Sequence, residues 1–161
     1  MDNQLTHADL VERAAIWLRS RGCGVILTEF ASMSPEIPDA IGWRYGGQWS
    51  YLVECKVTRS DYHADAKKQG RSSLRAAGLG HERYYLAPPG VLDPEHIRAN
   101  RPWWGLLEVH GRRVLTKLKA IPLDHECRYR ELPLLYSCLW RLQHPERVVN
   151  SRIEIVREVA E

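Results

Sequence analysis

The glycine pair Gly46-Gly47 stands between two runs of residues that favour β-strands, and this pattern constrains the fold more than any other in the chain. The first run starts at Asp39 and the second ends at Val57, and two glycines between such runs are typical of a hairpin turn. In an unbulged hairpin with this tip, the numbers of paired residues add up to 93, so Asp39 is expected to face Glu54. The sequence therefore predicts a β-hairpin with two carboxylates opposite each other near its open end.

Opposed carboxylates need a cation between them. The Cβ atoms of directly opposed strand residues lie roughly 4.5–5.5 Å apart, and like charges at that distance repel each other. A divalent metal ion would remove the repulsion, and Mg²⁺ commonly uses only one or two carboxylates together with water. Two interpretations stay open: a metal site at Asp39 and Glu54, or a surface carboxylate pair with Lys56 as its counterion.

The two residues that follow Glu54 differ in the direction of their side chains. Lys56 is expected to point to the same face as Glu54, whereas Cys55 points to the other face. The main-chain carbonyl of Cys55 is a candidate third metal ligand. A metal ion lowers the pKa of a bound water and stabilises charge on a phosphoryl oxygen, while Lys56 would orient or help deprotonate the attacking water. This combination suits phosphodiester hydrolysis.

The rest of the chain shows alternating helical and strand patterns. We expect a helix capped by Thr6 and Asp9, a strand at 25–30, a helix from Asp61 to about Arg75 capped by Ser60, a strand at 84–87, a hairpin between 104 and 118, and two C-terminal helices, around 132–142 and 149–160. This order predicts an α/β fold with a central mixed β-sheet flanked by helices, plus C-terminal helices.

Composition limits the class of protein. With 161 residues, of which 44% are apolar, the chain suits one soluble domain that buries its own core. The cysteines Cys23, Cys55, Cys127 and Cys138 lie far apart without zinc-ligand spacing, which indicates a reducing, cytoplasmic compartment. No apolar run approaches the roughly 20 residues that span a bilayer, so no membrane is expected. The net charge of +3 is compatible with a polyanionic partner without identifying one.

Pro38, Asp39, Glu54 and Lys56 together resemble the motif of the PD-(D/E)XK nuclease superfamily. Over about residues 10–120 the chain is more closely similar to the MmcB-type DNA repair proteins, which are compact members of that superfamily. The likeness is carried by residues 28–30, 53–56, 59–65, 84–88 and 105–109. The resemblance implies a restriction-endonuclease-like core in which Asp39 and Glu54 are metal ligands and Lys56 is the catalytic lysine. It also implies one nuclease domain over 1–161, with a core at about 5–120 and a C-terminal helical extension at about 121–161.

Further candidate residues lie on the predicted helices. Related nucleases often contribute an acid from the first helix, so Glu12 is either a further metal ligand or a solvated side chain. On the helix after Lys56, the candidates for contact with nucleic acid are Lys67, Lys68, Gln69 and Arg71. Pairing of these side chains with other residues on the helix surface is the alternative.

The sequence therefore predicts a deoxyribonuclease that depends on Mg²⁺ or Mn²⁺ and acts in DNA repair or processing. The alternative is a non-cleaving nucleic-acid-binding or adaptor protein on the same fold. The apolar stripe from Leu132 to Leu142 indicates either core packing or a homodimer surface in the C-terminal helices.

Overall fold

The computed structural model describes residues 5–32, 34, 36–66, 78–123, 127–147 and 153–155. Helices and strands alternate along these residues. In chain order the elements are α1 (His7–Ser20), β1 (Val25–Thr28), β2 (Ala40–Arg44), β3 (Trp49–Cys55), α2 (Arg59–Ala66), β4 (Glu82–Ala87), α3 (Pro94–Asn100), β5 (Trp104–His110), β6 (Arg113–Leu118), α4 (Cys127–Gln143) and β7 (Ile153–Ile155). A 3-10 turn, Pro145–Arg147, follows α4.

The strands form one mixed sheet in the order β6-β5-β4-β3-β2-β1-β7. β3, β4 and β5 run parallel, and the other neighbouring pairs are antiparallel. α1 covers one face of the sheet, where Leu10 and Leu18 are fully buried. The core on the opposite face includes Tyr62 of α2, Ile97 of α3 and Leu134 of α4. These layers confirm the predicted α/β class with a mixed sheet flanked by helices.

The start of α1 follows the local sequence signal. The Asp9 amide donates to the Thr6 hydroxyl at 3.2 Å, and the Thr6 amide donates to the Asp9 carboxylate at 2.7 Å. This reciprocal cap satisfies two donors at the helix start, and the negative charge of Asp9 lies where the helix dipole favours it. The helix ends at Ser20, and Gly22 then adopts a φ of +78°, which suits glycine.

β2 and β3 form the hairpin that the glycine pair predicts. The ladder runs from Ala40 paired with Val53 to Arg44 paired with Trp49, and each pair of residue numbers adds up to 93. The predicted register is therefore confirmed. The tip is longer than predicted, because residues 45–48 lie outside the ladder and Tyr45 adopts a positive φ together with both glycines.

α2 begins earlier than its predicted cap. The Asp61 amide donates to the Thr58 hydroxyl at 3.1 Å, and the Thr58 amide donates to the Asp61 carboxylate at 3.0 Å. This exchange has the pattern of a capping box, so Thr58 and not Ser60 precedes the helix. The predicted continuation to Arg75 lies beyond Ala66, outside the described residues.

α3 is a short helix that the sequence prediction omits. Asp93 caps it by accepting the Glu95 amide at 3.0 Å, and Pro94 occupies its first turn. Proline suits that position because the first amides of a helix have no partner within the helix. The cluster Pro88-Pro89-Gly90 favours a loop, and the helix starts four residues after this cluster.

The predicted second C-terminal helix is wrong at its centre. Residues Ile153–Ile155 form β7, which pairs antiparallel with β1. Without β7, β1 would leave a row of main-chain donors and acceptors at the sheet edge, and β-branched isoleucines suit the strand that covers it. The C-terminal part of the chain therefore extends the sheet as well as contributing α4. The remainder of the predicted helix lies outside the described residues.

A buried polar network joins α4 to the hairpin. The Glu131 side chain on α4 is 2% exposed. Its carboxylate accepts hydrogen bonds from the Trp43 indole at 2.7 Å, the Ser50 hydroxyl at 2.6 Å and the Gly80 amide at 2.9 Å. The Ser50 amide in turn donates to Nδ1 of the fully buried His81 at 3.2 Å. Because buried polar groups are unfavourable without partners, this network favours one position of α4 on the sheet.

Two further observations concern the environment of the chain. Cys23, Cys55 and Cys138 are buried free thiols. In the part of the chain that the structure describes, no helix combines the length and the apolar character needed to traverse a lipid bilayer.

Candidate functional site

The predicted site residues lie at the open end of the hairpin. Asp39 immediately precedes β2, while Glu54 and Cys55 are the last two residues of β3. The observed ladder stops at Ala40 paired with Val53, so the same register continued by one residue sets Asp39 opposite Glu54. The hairpin therefore brings its two acids to one end of the sheet.

Asp39 accepts hydrogen bonds from two main-chain amides, one at the end of β3 and one just after β1. Its Oδ2 accepts the Cys55 amide at 2.7 Å, and its carbonyl oxygen accepts the Glu29 amide at 3.0 Å. A carboxylate that accepts a main-chain amide keeps a defined orientation. The Asp39 carboxylate is consequently fixed against the end of β3.

Glu54 and Lys56 form a buried ion pair. Nζ of Lys56 lies 3.5 Å from Oε2 of Glu54, and the two residues are 7% and 3% exposed, respectively. The Lys56 amide also donates to the carbonyl of Leu86 on β4 at 2.9 Å. Lys56 thus shares a face with Glu54, as the strand alternation predicts. Because charged side chains are rarely buried without a partner, each of these two groups depends on the other.

Cys55 contributes its main chain to this end of the hairpin. Its side chain belongs to the core on the α1 face, as predicted. Burial, together with the nearby Asp39 and Glu54 carboxylates, raises the pKa of the Cys55 thiol well above its usual value. The thiol therefore stays protonated and packs as an apolar group, while the amide holds Asp39. The role of the Cys55 carbonyl as a metal ligand stays a prediction.

Two residues near Asp39 were missed by the sequence reasoning about the site. Nε2 of His7 lies 3.6 Å from Oδ1 of Asp39 and 3.6 Å from Oε1 of Glu29. Glu29 follows β1 with a φ of +47°, a left-handed conformation that residues other than glycine seldom adopt. His7, at the start of α1, thus lies beside Asp39, and the predicted ligand Glu12 is exposed on the same helix, where its role stays a prediction. The β1–β2 pairing, in which Thr28 meets Ala40, brings Glu29 to Asp39, and only the folded sheet reveals it.

The residues predicted to contact nucleic acid belong to the segment that follows α2. Lys67, Lys68, Gln69 and Arg71 follow the described part of α2 and lie outside the described residues. The start of α2 at Arg59, three residues after Lys56, is the described link between the site and this basic segment.

The donor set fits a hard cation with few protein ligands. Among the described residues, no three side chains of His, Cys, Asp or Glu are grouped so as to hold a metal ion. Such a group is typical of zinc sites, whereas Mg²⁺ takes one or two carboxylates and keeps several waters. Asp39 and Glu54 carry carboxylate oxygens, the ligand type that Mg²⁺ and Mn²⁺ prefer, and their role as metal ligands stays a prediction.

A cavity of about 200 Å³ lies between α2 and α3. Arg59 and Tyr62 line it, and the ring of Tyr62 lies 5.1 Å from the ring of Tyr85. Tyr85 is the β4 residue that pairs with Glu54. The rings of Tyr62 and Tyr85 therefore connect the cavity wall to the strand position beside Glu54. A larger cavity, of about 720 Å³, lies near Tyr45 at the opposite end of the hairpin.

Comparisons with known proteins bear on the fold. No protein-family model matches the chain, and no curated protein matches it significantly. The solved structure of a protein of unknown function from Silicibacter pomeroyi is similar, with a TM-score of 0.59 and 21% sequence identity. The match covers 92% of this chain and 98% of that one. The arrangement of helices and strands described above therefore also occurs in a solved structure.

Proposed function

We propose that the chain is a metal-dependent nuclease that hydrolyses phosphodiester bonds of DNA on a restriction-endonuclease-like core. The observation that carries the proposal is the convergence of Asp39, Glu54 and Lys56 at the open end of one hairpin. A surface counterion pair, the simpler explanation, would be solvated, whereas Glu54 and Lys56 are both buried. Burial of charge at the end of a strand beside a second acid is typical of a functional site.

Asp39 and Glu54 would hold Mg²⁺ or Mn²⁺, with the carbonyl of Cys55 as a further oxygen ligand. The ion, when bound, supplies a water of lowered pKa and stabilises charge on a phosphoryl oxygen. The protein's own contribution is to fix the ligands beforehand. The Cys55 amide keeps the Asp39 carboxylate turned towards β3, so that little reorganisation is needed when the substrate arrives.

Lys56 would act on the attacking water and on the phosphate. The Glu54 carboxylate, 3.5 Å away, restrains the position of the Lys56 ammonium. From that position the ammonium would orient the water and offset the negative charge that develops on the phosphorane. In the partly dehydrated surroundings of the strand end, a fixed charge acts more strongly than in bulk water.

The basic segment after α2 would bind the DNA backbone. The residues proposed for phosphate contact are Lys67, Lys68, Gln69 and Arg71. Contacts of this kind position nucleic acid without reading its sequence, and they weaken as the salt concentration rises. The proposed role in DNA repair or processing rests on the resemblance to the MmcB-type proteins.

A cleavage assay with a matched pair of variants tests the proposal. Purified chain is incubated with single-stranded, duplex and branched DNA in the presence of Mg²⁺ or Mn²⁺. Asp39→Asn keeps an oxygen that can accept the Cys55 amide while it removes the charge, and we expect it to lower cleavage by at least about 100-fold. Glu95→Gln, which neutralises an exposed acid on α3, is the control and should cleave normally. Undiminished cleavage by Asp39→Asn would mean that these acids are not the catalytic site.

Divalent-ion titration by calorimetry separates the nuclease from its rival. A non-cleaving adaptor on this fold would bind DNA in the absence of any divalent binding. The nuclease instead requires Mg²⁺ or Mn²⁺ binding that Asp39→Asn weakens and Glu95→Gln leaves unchanged. DNA binding without divalent binding would therefore replace the proposal with the adaptor.

A further inference from the structure

α4 has two apolar faces. The inner face packs on the sheet, where Leu134 and Cys138 are buried and Glu131 is bonded to the hairpin. Large apolar side chains also cover the outer face, and their exposed fractions are 79% for Tyr129, 57% for Leu132, 67% for Tyr136 and 61% for Leu139. Single exposed apolar residues are ordinary on protein surfaces, whereas a contiguous group on one helix is typical of an interaction site.

The spacing of these four residues is that of a helix-packing seam. We call Tyr129, Leu132, Tyr136 and Leu139 the α4 seam. They recur at intervals of three, four and three residues, which is the alternation of the a and d positions of a heptad. Both a positions are tyrosine and both d positions are leucine. Exposed apolar residues with this spacing are typical of a helix face that packs on another helix.

We propose that the α4 seam binds the same seam of a second copy of this chain, with the two helices antiparallel. In an antiparallel pair, each a position of one helix lies in a layer with a d position of the other. Tyr129 would then face Leu139 of the second copy, and Leu132 would face Tyr136. Every layer combines one tyrosine and one leucine side chain, so the layers have similar volumes and can fill the interface evenly. A parallel pair would instead set tyrosine against tyrosine and leucine against leucine.

The charges beside the seam favour antiparallel over parallel packing of two copies. Arg128 and Arg130 lie near the start of α4, and parallel helices would bring these arginines of both copies together. In the antiparallel register the two Arg130 residues are roughly 12 Å apart along the helix axis, which exceeds the Debye length at physiological ionic strength. Antiparallel helices also oppose their dipoles. The repulsion between the copies is therefore small.

The area of the seam is enough for a weak but specific dimer. A buried tyrosine removes about 150–250 Å² from water, so at the observed exposures the seam residues would bury on the order of 500 Å² per copy. The total for two copies, on the order of 1,000 Å², reaches the lower limit of specific interfaces. Dissociation in the micromolar range is expected, since small interfaces belong to the weak class.

Sedimentation equilibrium of the full chain tests the interface, over concentrations from about 1 to about 200 µM. We expect a reversible monomer–dimer equilibrium for the unmodified chain. Leu132→Glu, at an exposed position, should weaken the dimer at least about 100-fold while the circular dichroism spectrum stays unchanged. The control is Ile16→Glu, which adds the same charge at a 41% exposed apolar position on α1 and should leave the dimer intact. A monomer at every concentration, or equal behaviour of the two variants, would overturn the proposal.

Mixing two variants tests the orientation. Leu132→Glu and Tyr136→Lys should each be monomeric, because each homodimer would bury two unpaired charges. In an antiparallel heterodimer the introduced carboxylate faces the introduced ammonium, and the other central layer keeps its native residues. An equimolar mixture should therefore contain heterodimer. If the unmodified chain dimerises and the mixture stays monomeric, the antiparallel arrangement is wrong. This test is independent of nuclease activity.

Discussion

Replacement of Glu131 by alanine is expected to destabilise the fold strongly, because this buried side chain joins α4 to the sheet. The substitution removes the acceptor of three buried hydrogen bonds, from Trp43, Ser50 and Gly80. A buried donor left without a partner costs about 1–3 kcal/mol. Water that enters the space vacated by the side chain would satisfy some of these donors, so we take the lower part of that range for each. The free energy of unfolding should then fall by about 4 kcal/mol, a large part of the total for a typical domain.

Urea denaturation of matched variants measures this loss. The midpoint is followed by far-ultraviolet circular dichroism and tryptophan fluorescence at low protein concentration. The loss of unfolding free energy in Glu131→Gln should be about half of that in Glu131→Ala. The glutamine amide keeps one oxygen that accepts a hydrogen bond, but its NH₂ group lies against a buried donor. Arg130→Ala, at an exposed position on the same helix, should change stability by no more than about 0.5 kcal/mol. If the unfolding free energies of Glu131→Ala and Arg130→Ala differ by less than about 1 kcal/mol, the reasoning about the buried network is refuted.

Further predictions concern the packing and the thiols. Gly105→Ala should lower the unfolding free energy by at least about 2 kcal/mol in the same denaturation assay, because a Cβ there would lie 2.5 Å from Cδ1 of Tyr84. Gly24→Ala, whose Cβ would meet nothing within 4 Å, is its control, and an equal loss in both would contradict the packing argument. Thr6→Ala should lower the unfolding free energy by about 1 kcal/mol, because the cap of α1 is lost. An unchanged urea midpoint would argue against that cap. Cys55 should be alkylated at least about 100-fold more slowly in the native chain than in urea, since burial raises the pKa of its thiol, and rapid labelling of this peptide by mass spectrometry would contradict its burial.

The parts of the fold that the sequence predicts are those with local causes. The register of the hairpin follows from strand alternation and from the position of Gly46-Gly47, so the pairing of Ala40 with Val53 was predictable without knowledge of the rest of the chain. The start of α1 is similarly local, because Thr6 and Asp9 are only three residues apart. The shared face of Glu54 and Lys56 follows from the same alternation.

The parts that the sequence does not predict depend on contacts between distant segments. Trp43 and Glu131 are 88 residues apart, and no local sequence pattern near either residue predicts their hydrogen bond. The spacing of Val149 and Ile153 predicts a helix, but residues Ile153–Ile155 form a strand because they pair with the open edge of β1. His7 meets Asp39 only through the packing of α1 beside the end of β1.

The length of the hairpin tip has a consequence for how this chain can diverge. A residue added within the exposed tip would only lengthen the loop, because the buried residues of the ladder hold the register, whereas a residue added within β2 would turn Asp39 to the opposite side of the sheet. Changes that lengthen both strands equally would preserve the meeting of Asp39 with Glu54. Descendants of this sequence should therefore tolerate inserted residues between Arg44 and Trp49 far more readily than a single inserted residue within β2.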